Sequence, residues 1–276
     1  MSGSWVDDEL PHPPIGIAGW CRVLLRGGVL GAVTFGSLGL LLLVRLIERP
    51  LFGQTRPLTP HITQFVCRAA FRIMGIGLRV TGRPMEQRGA VVANHASWLD
   101  IFALNAAQRV YFVSKSEVEA WPAIGWLARA TGTVFIARKS ADAKLQQAVF
   151  EARLRAGHRL LFFPEGTSTD TLRVLPFKPT LFAAFYTHGM EQVMHIQPAS
   201  VIYSPPAGAD PRFYGWWGEM DFASHLMRVL AALRHGVVEV ILHDPVAVDD
   251  FANRKALSAA CEAVIRDAHQ RHLDRV

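Results

Sequence analysis

From Gly27 to Val44 the chain reads GGVLGAVTFGSLGLLLLV, without one charged residue, and Arg26 and Arg45 bracket the run. A stretch this long and apolar has few places to go: it forms a helix, either against lipid or inside a core. Eighteen residues at the helical rise reach about 27 Å, close to the thickness of a hydrocarbon layer. With the stem of Arg45 snorkelling and Leu46-Ile47 added, the segment is long enough to span. A buried soluble helix is the alternative. A cleaved leader fits less well, because the run starts late and no small-residue cleavage pattern follows it. Arginine is sparse before the run (Arg22, Arg26) and frequent after it (Arg45, Arg49, Arg56, Arg68, Arg72, Arg79). That asymmetry puts the C-terminal bulk on the cytoplasmic face of the inner membrane.

The rest of the chain is organised around this run. Residues 1–14 are polar and proline-containing and read as a disordered N-terminus. Residues 15–79 read as a helical membrane-anchoring region. Within it, Pro50 to Pro60 is a linker. His61 to Leu78 is an amphipathic helix, with Ile62, Phe65, Val66, Ala69, Ile73 and Ile76 on one stripe. Basic residues outnumber acidic ones, 29 to 23, and half the chain is hydrophobic. This balance suits an anionic bilayer more than nucleic acid, and no aromatic-flanked basic cluster is present. Cys21, Cys67 and Cys261 lie far apart and form neither a CxxC nor a disulfide framework.

From Val80 to the C-terminus, short β-type segments alternate with helical ones. The strand candidates are Ala90–Ala93, Val110–Val113, Thr133–Ile136, Leu160–Phe163, Ile196–Ile202 and Val237–Leu242. Helix candidates are Ser97–Ala107, Glu117–Ala130, Ala141–Ala156, Thr180–His188, Phe222–Arg234 and Asp250–His272. The alternation predicts an α/β domain over 80–276, with a mostly parallel, mixed sheet flanked by helices.

Ligands gather at the carboxyl ends of strands in such sheets, and three of these ends are polar. Asn94-His95 follows the first strand, Arg138-Lys139 follows Thr133–Ile136, and Pro164-Glu165-Gly166-Thr167-Ser168 follows Leu160–Phe163. His95 with Asp100 five residues on suits a base and its orienter: the carboxylate holds one imidazole nitrogen and leaves the other open to a hydroxyl proton. Ser97-x-x-Asp100 suits a helix N-cap equally well. Arg138-Lys139 also reads as a solvated helix cap, and Pro-Glu-Gly as a tight turn. If the three strands are neighbours, a base, a cation pair and an acidic glycine turn face one cleft. Ser97 lacks a GxSxG elbow, which argues against a serine hydrolase. No HExxH or EF-hand spacing occurs, and no metal is expected. His188, His195, His225 and His243 have no partner at ligand spacing and read as structural.

These residues resemble the lysophospholipid acyltransferase family, of the 1-acyl-glycerol-3-phosphate acyltransferase type. Its NHxxxxD block matches Asn94-His95 through Asp100. Its GxxFIxR block matches Gly132 through Arg138, its FPEGTxS-like block Phe163 through Ser168, and a looser proline block Ile196-Gln197-Pro198-Ala199. The resemblance covers about Val80 to Tyr203. It implies that His95 deprotonates an acceptor hydroxyl for attack on an acyl thioester (acyl-ACP or acyl-CoA as co-substrate, no other cofactor), and that Asp100 holds the imidazole. Asn94, Arg138, Lys178, Glu165, Gly166 and Thr167 would bind a lyso-lipid acceptor, Arg138 through its anionic head group. The expected product is phosphatidic acid.

One departure shifts the acceptor. Leu175-Pro176-Phe177-Lys178-Pro179-Thr180-Leu181-Phe182 and the segment Phe213 to Asp221 resemble the branch that acylates lyso-ornithine lipid, whose head group has a carboxylate in place of phosphate. A non-catalytic lipid-binding protein is the expectation from another class; the joint presence of His95, Asp100, Arg138 and Glu165 argues against it. Tyr214-Trp216-Trp217 suits either a membrane interface or a core.

Overall fold

A computed structural model describes residues 5–7, 10, 13–136, 143–187 and 189–275. Eight strands form one mixed sheet. They are β1 (Gly77–Thr81), β2 (Gly89–Ala93), β3 (Tyr111–Lys115), β4 (Val134–Ile136), β5 (Leu160–Phe162), β6 (His195–Ser204), β7 (Val237–Leu242) and β8 (Val246–Ala247). The order is β1-β7-β6-β2-β5-β3-β4, with β8 beside β6. From β6 to β4 every neighbour is parallel, while β7 and β8 run antiparallel to β6. The α/β mixed sheet expected from the strand–helix alternation is the fold.

β2 is the centre of the sheet, and GAVVA is buried at all five positions. Its side chains divide by the period of two. Val91 and Ala93 enter the core shared with α2 (Thr59–Met74), α3 (Leu99–Ala107) and α6 (Phe222–Ala231). Ala90 and Val92 enter the opposite core, with Leu154 of α5 (Ala143–Arg155), Phe182, Phe185, and Leu257 and Ile265 of α7 (Arg254–Leu273). Covering both faces in this way is what a parallel sheet requires.

Three local expectations change. The helix expected over His61–Leu78 ends at Met74. Gly75 takes φ +81°, the Ile76 N–H bonds back to the Phe71 carbonyl, and the chain turns into β1. This glycine closure is a common helix end. Gly77 to Thr81 then pair in parallel with Val237 to Ile241, so the sheet begins before residue 80. The helix expected over Glu117–Ala130 is broken into a 3-10 turn, Ser116–Ala120, and α4, Ile124–Thr131. Pro122 has no N–H to donate and pushes Trp121 into extended backbone. The linker is shorter than Pro50–Pro60, because one helix carries Pro50 in its last turn and the next starts at Thr59.

The apolar run lies inside α1, Ile17–Phe52, which is long and apolar enough to cross a membrane. Both its ends are nonetheless tied to the globular body. Near the start, Arg22 Nε donates to the Ala231 carbonyl at 2.7 Å, and an Arg26 guanidinium nitrogen donates to the carbonyls of Leu230 (2.9 Å) and Ala232 (2.6 Å). These cations cap the C-terminal end of α6, where free carbonyls concentrate negative potential. Near the other end, the buried carboxylate of Glu48 accepts from the N–H groups of Leu58 (2.7 Å) and Thr59 (3.1 Å) and from the Thr59 hydroxyl (2.8 Å). Between Arg22 and Glu48 the helical rise amounts to about 39 Å. The outward face between them is apolar and bare, from Leu24 and Leu25 to Leu46 and Ile47.

Glu48→Ala leaves two N–H groups at the start of α2 unpaired. It is expected to lower stability by about 1–3 kcal/mol, read as the shift in the denaturant midpoint in detergent.

Candidate active site

The site forms where β2 and β5 end side by side. Val92 pairs with Phe162, so the segments that follow, Asn94-His95 after β2 and Phe163-Pro164-Glu165 after β5, leave the sheet side by side. Asn94 brackets β6: its side-chain nitrogen donates to the Val201 carbonyl at 2.9 Å and its oxygen accepts from the Val201 N–H at 2.8 Å. Both ends of the carboxamide are thus taken up by backbone. Expected as a substrate contact, Asn94 is instead a buried strap that sets where the chain turns.

His95 and Asp100 meet as the base-and-orienter reading expects, with Nδ1 2.7 Å from Oδ2. A carboxylate only accepts, so the proton sits on Nδ1 and Nε2 presents its lone pair. Nε2 has no hydrogen-bond partner among the described residues, and the side chain keeps 18% of its surface exposed. Asp100 is fully buried. Its Oδ2 also accepts from the N–H groups of Ala96 (2.8 Å) and Ser97 (3.0 Å), and its Oδ1 from the Tyr203 hydroxyl (2.5 Å). The helix-cap and catalytic readings of this stretch therefore converge on one carboxylate. It closes the first turn of α3 as a capping-box acid does, and it orients His95. The imidazole lies flat on Phe163, with centroids 4.0 Å apart and planes 11° apart.

Glu165 supports the same turn from the β5 side. Its carboxylate accepts from the His95 N–H at 2.7 Å and from the Leu175 N–H at 2.6 Å. The Thr169 N–H donates to the His95 carbonyl at 2.9 Å. Burial pushes the Glu165 carboxyl up to about 8, against the two N–H donations that pull it down. Expected among the acceptor-binding residues, Glu165 faces inward and joins the β5 loop to His95. The rim of that loop is open. Gly166 has φ +74°, and a Cβ there would lie 2.6 Å from Lys178 Nζ. Glycine lets the ammonium close over the turn. Thr167 is exposed beside it. Arg138 and Lys139 lie outside the described residues. Ser97 is fully buried and its Oγ accepts from the Leu99 N–H at 3.3 Å, which withdraws it from use as a nucleophile.

Tyr203 is absent from the sequence expectations. It lies in β6 beyond the proline block, and its hydroxyl binds Asp100 across 103 residues of sequence; no local spacing marks such a pair. Behind it stands Tyr214, with ring centroids 5.7 Å apart. Tyr214 is fully buried and Trp217 nearly so, so this aromatic stretch is core. Trp216 N–H donates to the Ala96 carbonyl at 2.9 Å. Of the histidines read as structural, His225 accepts from the Trp98 indole and His243 bonds the Ser200 hydroxyl, while His188 lies outside the described residues.

The acyltransferase family model matches residues 77–202, and the chain belongs to the acyltransferase family. It is 61% identical, over 95% of both chains, to a lyso-ornithine lipid O-acyltransferase of Rhodobacter capsulatus. It is 35% identical to another of that name in Pseudomonas aeruginosa, over 88% of this chain and 92% of that one. A 1-acyl-sn-glycerol-3-phosphate acyltransferase of Neisseria gonorrhoeae is 41% identical, over 42% of this chain and 46% of its own. The crystal structure of the 1-acyl-sn-glycerophosphate acyltransferase PlsC of Thermotoga maritima shares the fold, with a TM-score of 0.66 at 20% identity, over 92% of this chain and 96% of that one.

Two outcomes are expected. Tyr203→Phe removes one donor to Asp100 and lowers kcat about tenfold with little change in KM, measured in steady-state acyl transfer. The second concerns pH. A carboxyl whose pKa is higher folded than unfolded takes up a proton on folding, so stability falls as pH rises from the ordinary carboxyl range to about 8. Glu165→Gln is expected to flatten that slope, read from urea midpoints on either side of the window.

Proposed function

We propose that the protein is a membrane-surface O-acyltransferase that moves a fatty acyl group from an acyl thioester, acyl-ACP or acyl-CoA, to the free hydroxyl of lyso-ornithine lipid. The observation that carries the chemistry is His95, held through Nδ1 by a buried carboxylate with Nε2 left open. Nε2 takes the hydroxyl proton as the oxygen attacks the thioester carbonyl. The new C–O bond forms, the C–S bond breaks, and the imidazolium returns its proton to the departing thiolate. Asp100 stabilises the imidazolium between those events. The thioester is already activated, so no acyl-enzyme is needed.

The acceptor follows from what the long alignments favour. Relatives matched over nearly the whole chain carry the lyso-ornithine name, whereas the glycerol-phosphate enzyme of Neisseria aligns over less than half. Lys178 over Gly166, together with Arg138, would meet the acceptor's carboxylate. Phosphatidic acid synthesis, the first expectation from the motifs, is the second reading, since the same cations suit a phosphate.

Membrane association follows from α1. Both ends of the helix are fastened to the body and its bare face is apolar along the length between them. A helix so fastened lies along the bilayer surface in preference to crossing it, with the acyltransferase domain on the cytoplasmic side.

An assay with labelled acyl-ACP and acyl-CoA, offering lyso-ornithine lipid and 1-acyl-glycerol-3-phosphate in parallel, tests the reading. Faster transfer to lyso-ornithine lipid is expected; the reverse order would return the assignment to phosphatidic acid. His95→Ala is expected to lose at least about a hundredfold in rate while its circular dichroism stays unchanged. An undiminished rate would remove His95 from the mechanism.

A further inference from the structure

The far end of α1 carries a feature that the acyl-transfer reaction does not use. A groove of about 680 Å³ runs between the C-terminal half of α1 and the end of α4. Four arginines line it, Arg45, Arg49, Arg56 and Arg129, and no carboxylate does among the described residues. Arg45 is paired with Glu48 at 3.0 Å, Arg129 leans on Glu119 at 3.7 Å, and Arg56 donates to the Ala130 carbonyl at 2.9 Å. The Arg49 guanidinium has no hydrogen-bond or ion-pair partner among the described residues. The same stretch of α1 adds Leu42, Leu43 and Leu46 to the lining, exposed by 51, 63 and 73%. Three residues before Arg129, Trp126 stands 63% exposed.

The groove is remote from His95. Arg56 binds the carbonyl of Ala130, just before β4, which is the amino end of the parallel strands. The catalytic turn lies at their carboxyl end.

We propose that this groove holds the phosphate of an anionic membrane phospholipid that is neither acceptor nor donor, with its acyl chains along the apolar face of α1. A cationic pocket that opens onto the exposed apolar face of a helix matches both halves of such a lipid. Guanidinium groups pair with phosphate through paired N–H donors, and basic pockets beside membrane helices select anionic head groups. An indole at the same level is the usual marker of the bilayer interface. An acidic protein helix, such as that of an acyl carrier, would satisfy the arginines but leave the leucines uncovered. The inference rests on the reading of α1 as an in-plane anchor.

Flotation of the full-length protein with two kinds of vesicle tests it. One is phosphatidylcholine alone; the other contains phosphatidylglycerol as well. Wild type is expected to float with both and to prefer the second. Arg49→Gln/Arg129→Gln is expected to lose roughly ten- to thirtyfold of that preference, at about 1 kcal/mol for each basic residue at the surface. Its binding to phosphatidylcholine and its melting midpoint in detergent should be unchanged. Arg49→Gln alone should lose about half the effect on a logarithmic scale, which keeps the test valid if the double variant folds poorly. Failure of wild type to float with phosphatidylcholine would overturn the anchoring reading, and this one with it. Normal flotation with no phosphatidylglycerol preference, or with the preference intact in both variants, would overturn the groove alone. So would stabilisation of wild type, and not of the variants, by inorganic phosphate without vesicles. Loss of acyl carrier protein binding with the lipid preference kept would assign the groove to a protein partner instead.

Discussion

A carboxylate with no access to water is the constraint on which the site depends. Asp100 is fully buried, and a buried charge persists only where hydrogen bonds replace its hydration. Its four donors come from three places: the turn after β2 (His95 and Ala96), the start of the next helix (Ser97), and β6 (Tyr203). Each has to arrive with its N–H or O–H pointing inward. That fixes the path of the turn after β2, the tautomer of the imidazole and the position of β6 beside β2 at once. Asn94, bracketing Val201, holds the same two strands at the level of the turn.

Glu165 extends this logic to the neighbouring strand. Its carboxylate joins the His95 N–H to the Leu175 N–H, so the backbone that carries His95 is clamped by the β5 loop as well as by β6. The loop that supplies Glu165 also presents Gly166 and Lys178 at the rim. Rigidity below and open polar surface above therefore come from one short segment. Phe163, which precedes it, lies against the imidazole and leaves Nε2 as the open edge.

The exterior is shaped by α1. The arginines at its start satisfy the end of α6 and the acid near its other end satisfies the start of α2, so polar contacts fasten it while a long apolar face is left outside. That inverts the usual arrangement of a helix on a soluble domain. An apolar face of that length marks a surface that a membrane or another apolar partner covers.

Much of this was legible in the chain itself. The strand–helix alternation announced the sheet, and the unbroken apolar run GAVVA suits a central parallel strand covered on both faces. The spacing of His95 and Asp100 allowed a pair to form, and the polar strand ends pointed to one side of the sheet. Less legible were the features that need distant partners. β1 looked like the tail of a helix, because its partner β7 lies 160 residues on. Tyr203 carried no motif, and Asn94 and Glu165 were expected as substrate contacts because the family resemblance implied it. Tyr214, Trp216 and Trp217 suited a membrane interface as well as a core until the burial of Tyr214 and Trp217 was known. The sequence by itself determined which residues could do acid–base chemistry and that one long helix had to meet lipid or core, since spacing, periodicity and hydropathy are local properties. Only the tertiary structure decided that the acid is buried, who donates to it, and that the helix is fastened at both ends. Burial and hydrogen bonding depend on neighbours that local sequence does not bring together.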